Sequence, residues 1–215
     1  MATNYWRKKK RAFKRWARKK PRFLLVAGLV VLGSFLAYTT AIREHRLSVN
    51  PASCTALLQL IAGAESRGNY NAHFGNAANT SVKFTSMSIA DVMQWQQEFI
   101  AQGNPSSAVG KYQIINTTLT GLVNELGLKP TEKFDEDTQD KMAIALLERR
   151  GASAYVNQEI TGDEFAAELA KEWAALPRVL GDNPEDSYYA GDGLNKSHIN
   201  VEQVRSAIEP LHGRS

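Results

Sequence analysis

The carboxylate best placed for acid–base work in this sequence is Glu65, which closes the apolar stretch TALLQLIAGAES. A helix C-terminus carries partial negative charge, and apolar neighbours such as Ala64 withhold solvation; both disfavour the ionised form. A carboxyl kept neutral near pH 7 can protonate a glycosidic oxygen. The plainer alternative is a solvated Glu at a helix end. A second constellation follows in Ser107-Ala-Val-Gly110-Lys-Tyr112-Gln113-Ile114. Glycine at Gly110 lets a sugar approach the backbone, Tyr112 offers a stacking face, and Gln113 can hydrogen-bond polar substituents. Taken alone, this stretch also fits a turn leading into a buried Tyr and Ile.

Other chemistries find no support. The four histidines, His45, His73, His198 and His212, are scattered without metal-ligand spacing, and there is no HExxH. No GxSxG or phosphate-cradling loop occurs, so neither a cofactor nor a metal is expected. Cys54 is the single cysteine, which rules out an intramolecular disulfide; it reads as a small buried side chain, with an intermolecular bridge as the alternative. Other carboxylates, Asp91, Glu98 and Asp135 to Asp137, lie apart from both motifs in sequence.

The elements that must position these residues are mostly helical. Asn50-Pro51 opens a helix with Leu57, Ile61 and Ala64 on one stripe, stopped by Gly68. Ser88 and Asp91 make a capping-box start for a helix carrying Ile89, Val92, Met93, Phe99 and Ile100 up to Gly103. Asn116 or Thr117 begins a third, with Leu119, Leu122, Val123 and Leu126 before Gly127. A fourth runs from Asp135 to Arg149-Arg150-Gly151, and a fifth from Thr161 through Phe165, Leu169 and Trp173. A last short helix starts near Asn200. Strand character is confined to ambiguous stretches at residues 80–84 and 111–115. Long non-helical segments at 69–87, 104–111 and 178–199 are of the length that usually serves function.

The N-terminus is of a different kind. Residues 1–22 hold 11 Lys or Arg and no acid, leaving 15 basic against 22 acidic residues in the rest, a net of −7. The body is therefore no nucleic-acid binder by charge. Residues 23–42, FLLVAGLVVLGSFLAYTTAI, are 20 residues without charge, about 30 Å as a helix and so enough for a hydrocarbon core. The positive-inside rule holds the basic tail in the cytoplasm and places the body outside. The expected organisation is a tail at 1–22, a transmembrane signal anchor at 23–42, a linker at 43–50 and a catalytic domain at 51–215. The expected topology is single-pass, with the domain on the outer side of the membrane. A cleaved signal peptide near Thr39-Thr40-Ala41 is the alternative.

The motifs AESRGNY, AVGKYQI, TQDKMAIALLERRGA and EWAALP, with Ser187-Tyr188-Tyr189 beyond them, together resemble the lysozyme superfamily, in particular the phage lambda-type endolysins, which are peptidoglycan lytic transglycosylases. The similarity covers most of residues 56–189. It implies a lysozyme-like helical fold and peptidoglycan glycan strands as substrate. It places Glu65 at the family's catalytic acid and has Ser107, Gly110, Tyr112 and Gln113 line the sugar cleft, with Tyr188 and Tyr189 at its edge. It also implies a single-acid route, in which the N-acetyl group assists and the C6 hydroxyl closes an anhydro ring. Hydrolysis with a second carboxylate and a non-catalytic glycan-binding module are the alternatives. The chain departs from the family in its N-terminal span, a longer first loop containing SMSIADVMQWQQEF and an extended segment after Pro177.

Overall fold

A computed structural model describes residues 49–212. The expected basic tail and membrane span lie outside these residues, as does all but the end of the linker; among the described residues no helix is long and apolar enough to cross a membrane. Among these described residues seven α-helices follow in order: α1 Thr55–Ser66, α2 Ile89–Ala101, α3 Asn116–Leu126, α4 Glu136–Arg149, α5 Ala152–Val156, α6 Gly162–Ala170 and α7 Val201–Ile208, with 3-10 turns at Phe84–Ser86 and Glu209–His212. β structure among the described residues is limited to isolated bridges such as Val109 with Ile114, so the stretches at 80–84 and 111–115 are not strands.

Local chemistry sets the helix starts. Ser88 accepts from the Asp91 N–H while the Asp91 carboxylate accepts from Ser88, and Thr161 with Glu164 and Asn200 with Gln203 repeat the device. Asp135 caps α4 through the Thr138 N–H at 3.0 Å. The start of α3 differs from expectation: Ile115 holds the cap position without a side-chain bond, and the Asn116 N–H donates instead to Ser107 Oγ at 3.0 Å. α6 ends at Ala170, so Trp173 sits in the turn beyond it. The five-residue α5 was not foreseen, being too short to show a period.

Leu57 and Ile61 of α1, Ile89 and Val92 of α2, Leu119 and Leu122 of α3, and Met142 and Leu147 of α4 are fully buried, with Phe165, Leu169 and Val204. α1 packs on α7, α7 on α6, α2 on α3, and α4 joins α3 to α5. The expected core face of α2 is only half right. Ile100 is 44% exposed, and the stripe continues instead through Gln96, which is fully buried. At the other end Val49 is buried and its N–H donates to Glu148 Oε1 at 2.6 Å, so the packing takes in residues assigned to the linker. Cys54 is buried against the core, and burial, followed by the nearby Glu148 charge, pushes its thiol up to about 11.

Candidate active site

Glu65 sits in the last turn of α1, where the chain is turned sharply by two left-handed residues, Arg67 (φ 57°) and Gly68 (φ 79°). The Gly68 N–H returns to Ala62 O at 2.9 Å and closes the helix end. This geometry fixes where the Glu65 side chain leaves the helix. The carboxyl is partly buried and accepts from the Ala175 N–H at 3.2 Å through Oε1. Loss of solvation dominates its titration and pushes its pKa up to about 7, against a smaller lowering by the Ala175 bond. A carboxyl in this state carries a transferable proton at neutral pH, which is what general acid catalysis requires.

The loop of residues 107–114 reaches the same place because four separate elements hold it. Ser66 of α1, fully buried, donates to Lys111 O at 2.6 Å. Gln96 of α2 donates to Ser107 O at 2.8 Å and to Ile114 O at 2.9 Å. Gln139 of α4 accepts the Lys111 N–H at 2.9 Å and donates to Tyr70 O and Phe134 O. Trp173 Nε1 donates to Tyr112 O at 3.3 Å. Each is a buried polar group with its partners supplied. The loop that lies one hydrogen bond from the Glu65 helix end is therefore fixed from several sides at once.

These contacts change the roles expected of the loop. Tyr112 is 1% exposed and donates its phenol proton to Asp140 Oδ1 at 2.7 Å, so its ring packs in the core rather than offering a sugar-stacking face. Burial, reinforced by Asp140, holds that phenol far above its usual titration range. Gly110 (φ 79°) is required by the protein itself: a Cβ there would collide with the Gln139 amide and meet Phe134 Cε1 at 3.1 Å. Ser107 is buried and spends its hydroxyl on the start of α3. Gln113, partly buried with φ 49°, donates through Nε2 to Gly110 O at 2.9 Å and closes the turn. The turn reading of this stretch describes the geometry, and the loop is tied to the end of α1 through Ser66.

Asp140 is the hub of a polar cluster beside the loop. Tyr70 donates to its Oδ2 at 2.9 Å, and Lys111 Nζ lies 3.3 Å from Oδ1 and 2.8 Å from the Tyr70 hydroxyl. Lys111 also stands over the Tyr70 ring at 4.4 Å. Tyr188 and Tyr189, by contrast, are surface residues, 49% and 39% exposed, with rings 5.2 Å apart at a steep angle. Tyr189 is anchored by its hydroxyl, which donates to Lys171 O at 2.7 Å. The preceding Ser187 is buried and donates to Ala174 O at 2.7 Å, directly behind the amide that bonds Glu65.

Several residues that shape the site were not singled out from sequence: Ser66, Gln96, Gln139, Asp140 and Ala175. A signal existed for two. Gln96 falls on the period of Ile89 and Val92, and Gln139 on that of Met142, Ala143 and Leu146, so each is a polar residue at a core position. Among the described residues no group of His, Cys, Asp or Glu is arranged to hold a metal ion.

Comparison with known proteins gives a family. A model described as Endolysin matches residues 55–192, which takes in Glu65, the braced loop, the Trp173–Ala175 turn and both exposed tyrosines. No curated protein and no solved structure matches the chain. With more than half of its length covered by that model, the chain belongs to the Endolysin family of lysozyme-like, peptidoglycan-cleaving proteins.

Proposed function

We propose that this protein cleaves the MurNAc–GlcNAc glycosidic bond of peptidoglycan as a lytic transglycosylase, with Glu65 as its general acid. The observation that carries the reading is the state of Glu65: partly buried, fixed at a helix end and neutral up to about pH 7. Glu65 gives its proton to the bridging oxygen as the C1–O bond breaks. The substrate's own N-acetyl oxygen shields C1, and the C6 hydroxyl then attacks C1, returning its proton to the Glu65 carboxylate and closing the anhydro ring. A second protein carboxylate has no part in this route. In support, the hydrogen-bond partner of the Glu65 carboxyl is the Ala175 amide. The exposed Tyr188 and Tyr189, their rings nearly perpendicular, offer aromatic faces for glycan beyond the cleavage point.

The uncharged residues 23–42 behind a strongly basic tail anchor the domain in this reading to the outer face of the bacterial inner membrane. Digestion of purified peptidoglycan followed by mass spectrometry of the muropeptides tests the activity. Anhydro ends, lighter than reducing ends by one water, are expected from the wild type and none from Glu65→Gln. Reducing ends alone would make the enzyme a hydrolytic muramidase. Release of no fragments would leave a glycan-binding module.

A further inference from the structure

Ser187 reaches Glu65 through a single peptide unit. Its Oγ donates to Ala174 O at 2.7 Å, and the N–H of that same peptide bond, Ala175 N, donates to Glu65 Oε1 at 3.2 Å. The hydroxyl is itself held by the Tyr189 N–H at 3.3 Å. The carbonyl on the other side, Ala175 O, is fixed by the His198 N–H at 2.9 Å. Hydrogen bonds strung in this way polarise one another: a proton given to the carbonyl makes the amide N–H a better donor. Ser187 is 1% exposed, so no solvent substitutes for its hydroxyl. Tyr189 is 39% exposed and faces the solvent at the start of the chain of bonds.

Resting on the reading of Glu65 as the acid, we propose that Ser187 is a positioning residue that sets the proton affinity and orientation of Glu65 through the Ala174–Ala175 peptide. Several charged groups on the surrounding elements have charged neighbours of their own. Lys111 of the braced loop goes to Asp140, Lys171 to Glu168, Glu172 to Arg150, and Arg178 lies 3.9 Å from Asp186. Arg67 follows Glu65 at the helix end and is exposed, as is His198. None of them figures among the causes of the Glu65 shift, which are burial and the Ala175 N–H. Among the described residues the Ala175 N–H is the one hydrogen bond made to this carboxyl, and it lowers its proton affinity. The competing role for Ser187 is simple closure of the 177–187 strap, where the Arg178 N–H bonds Asp186 O at 2.7 Å and Pro177 bridges Ser187. That role predicts altered stability without altered titration.

The test is a pH titration of the Glu65 carboxyl by carbon-13 NMR on the full chain in detergent micelles, with Glu65→Gln identifying the resonance. Wild type, Ser187→Cys and Ser187→Ala form a graded series, because a thiol is a weak donor and a methyl is none. Removing the hydroxyl weakens the bond to the charged form, so the midpoint rises, by about half a unit to one unit in Ser187→Ala and by less in Ser187→Cys. The alkaline limb of the pH profile for peptidoglycan cleavage moves up in step. If Ser187→Ala does not fold, the Ser187→Cys midpoint decides alone. Midpoints within about 0.2 unit of wild type overturn the proposal. A shifted midpoint in a protein that cleaves no peptidoglycan would leave this coupling standing and remove the transglycosylase reading instead.

Discussion

Replacing Glu65 by Gln tests catalysis and electrostatics with one substitution. The amide keeps the size of the carboxyl, and its oxygen still accepts from the Ala175 N–H, but it has no proton to give. Loss of a general acid is worth about 10²–10⁴-fold in turnover, with little effect on glycan affinity because the proton moves only in the transition state. The stability of the variant carries separate information. In the wild type the carboxyl is raised from 4.5 to about 7, so the folded state holds its proton more tightly than the unfolded chain. That contribution is fully present below pH 4.5 and is lost as pH rises through about 7. Its full size is on the order of 3 kcal/mol, less whatever solvent reaches the partly exposed group. Glu65→Gln lacks this titration. The two proteins should have equal unfolding free energies near pH 4, and the variant should be the more stable at pH 8 by up to about 3 kcal/mol. Urea unfolding at steps between pH 4 and 8, beside muropeptide release for Glu65→Gln, Glu98→Gln and Glu164→Gln, measures both. A stability difference independent of pH would refute the burial argument. Release above about a tenth of wild type would move the acid elsewhere.

Gly110→Ala forces a side chain into left-handed backbone and against the Gln139 amide; it should cost about 1–3 kcal/mol in urea unfolding and lower turnover, and a loss under about 0.5 kcal/mol would show that Gln139 moves freely. Glu148→Ala strips an acceptor from Val49 N and from Ser153 N and Oγ; a loss of about 1–3 kcal/mol is expected, with hydrogen exchange at the Val49 amide sped up if that clasp holds the entry of the chain. The full-length protein should pellet with inner membranes and resist carbonate extraction, since its uncharged 20-residue stretch is long enough to span; a soluble mature form starting near Ile42 would instead establish a cleaved signal.

Much of the helical frame could be read from the chain because its causes are local. Ser88 with Asp91, Thr161 with Glu164 and Asn200 with Gln203 satisfy helix ends from three residues away. Glu65 could be placed at a helix end for the same reason: an apolar stripe runs up to it and Gly68 follows. The direction of its titration agrees with the expectation from apolar surroundings, since burial is what raises it.

The roles around Glu65 depended on partners far along the chain. Tyr112 is withheld from solvent by Asp140, Gly110 is demanded by Gln139, and Ser107 is occupied by Asn116. Ala175, which bonds Glu65 across 110 positions, donates through its backbone and so leaves no mark in residue type. The sequence by itself determined most of the longer helices, three capping boxes and the place of Glu65 in the last turn of α1, because those follow from periodicity and from contacts a few residues apart. Only the tertiary structure decided that Tyr112 in the AVGKYQI stretch is buried on Asp140 instead of presenting its ring to solvent. A tyrosine or glycine has the same chemistry in either role, and what assigns the role is which surface folding removes from water.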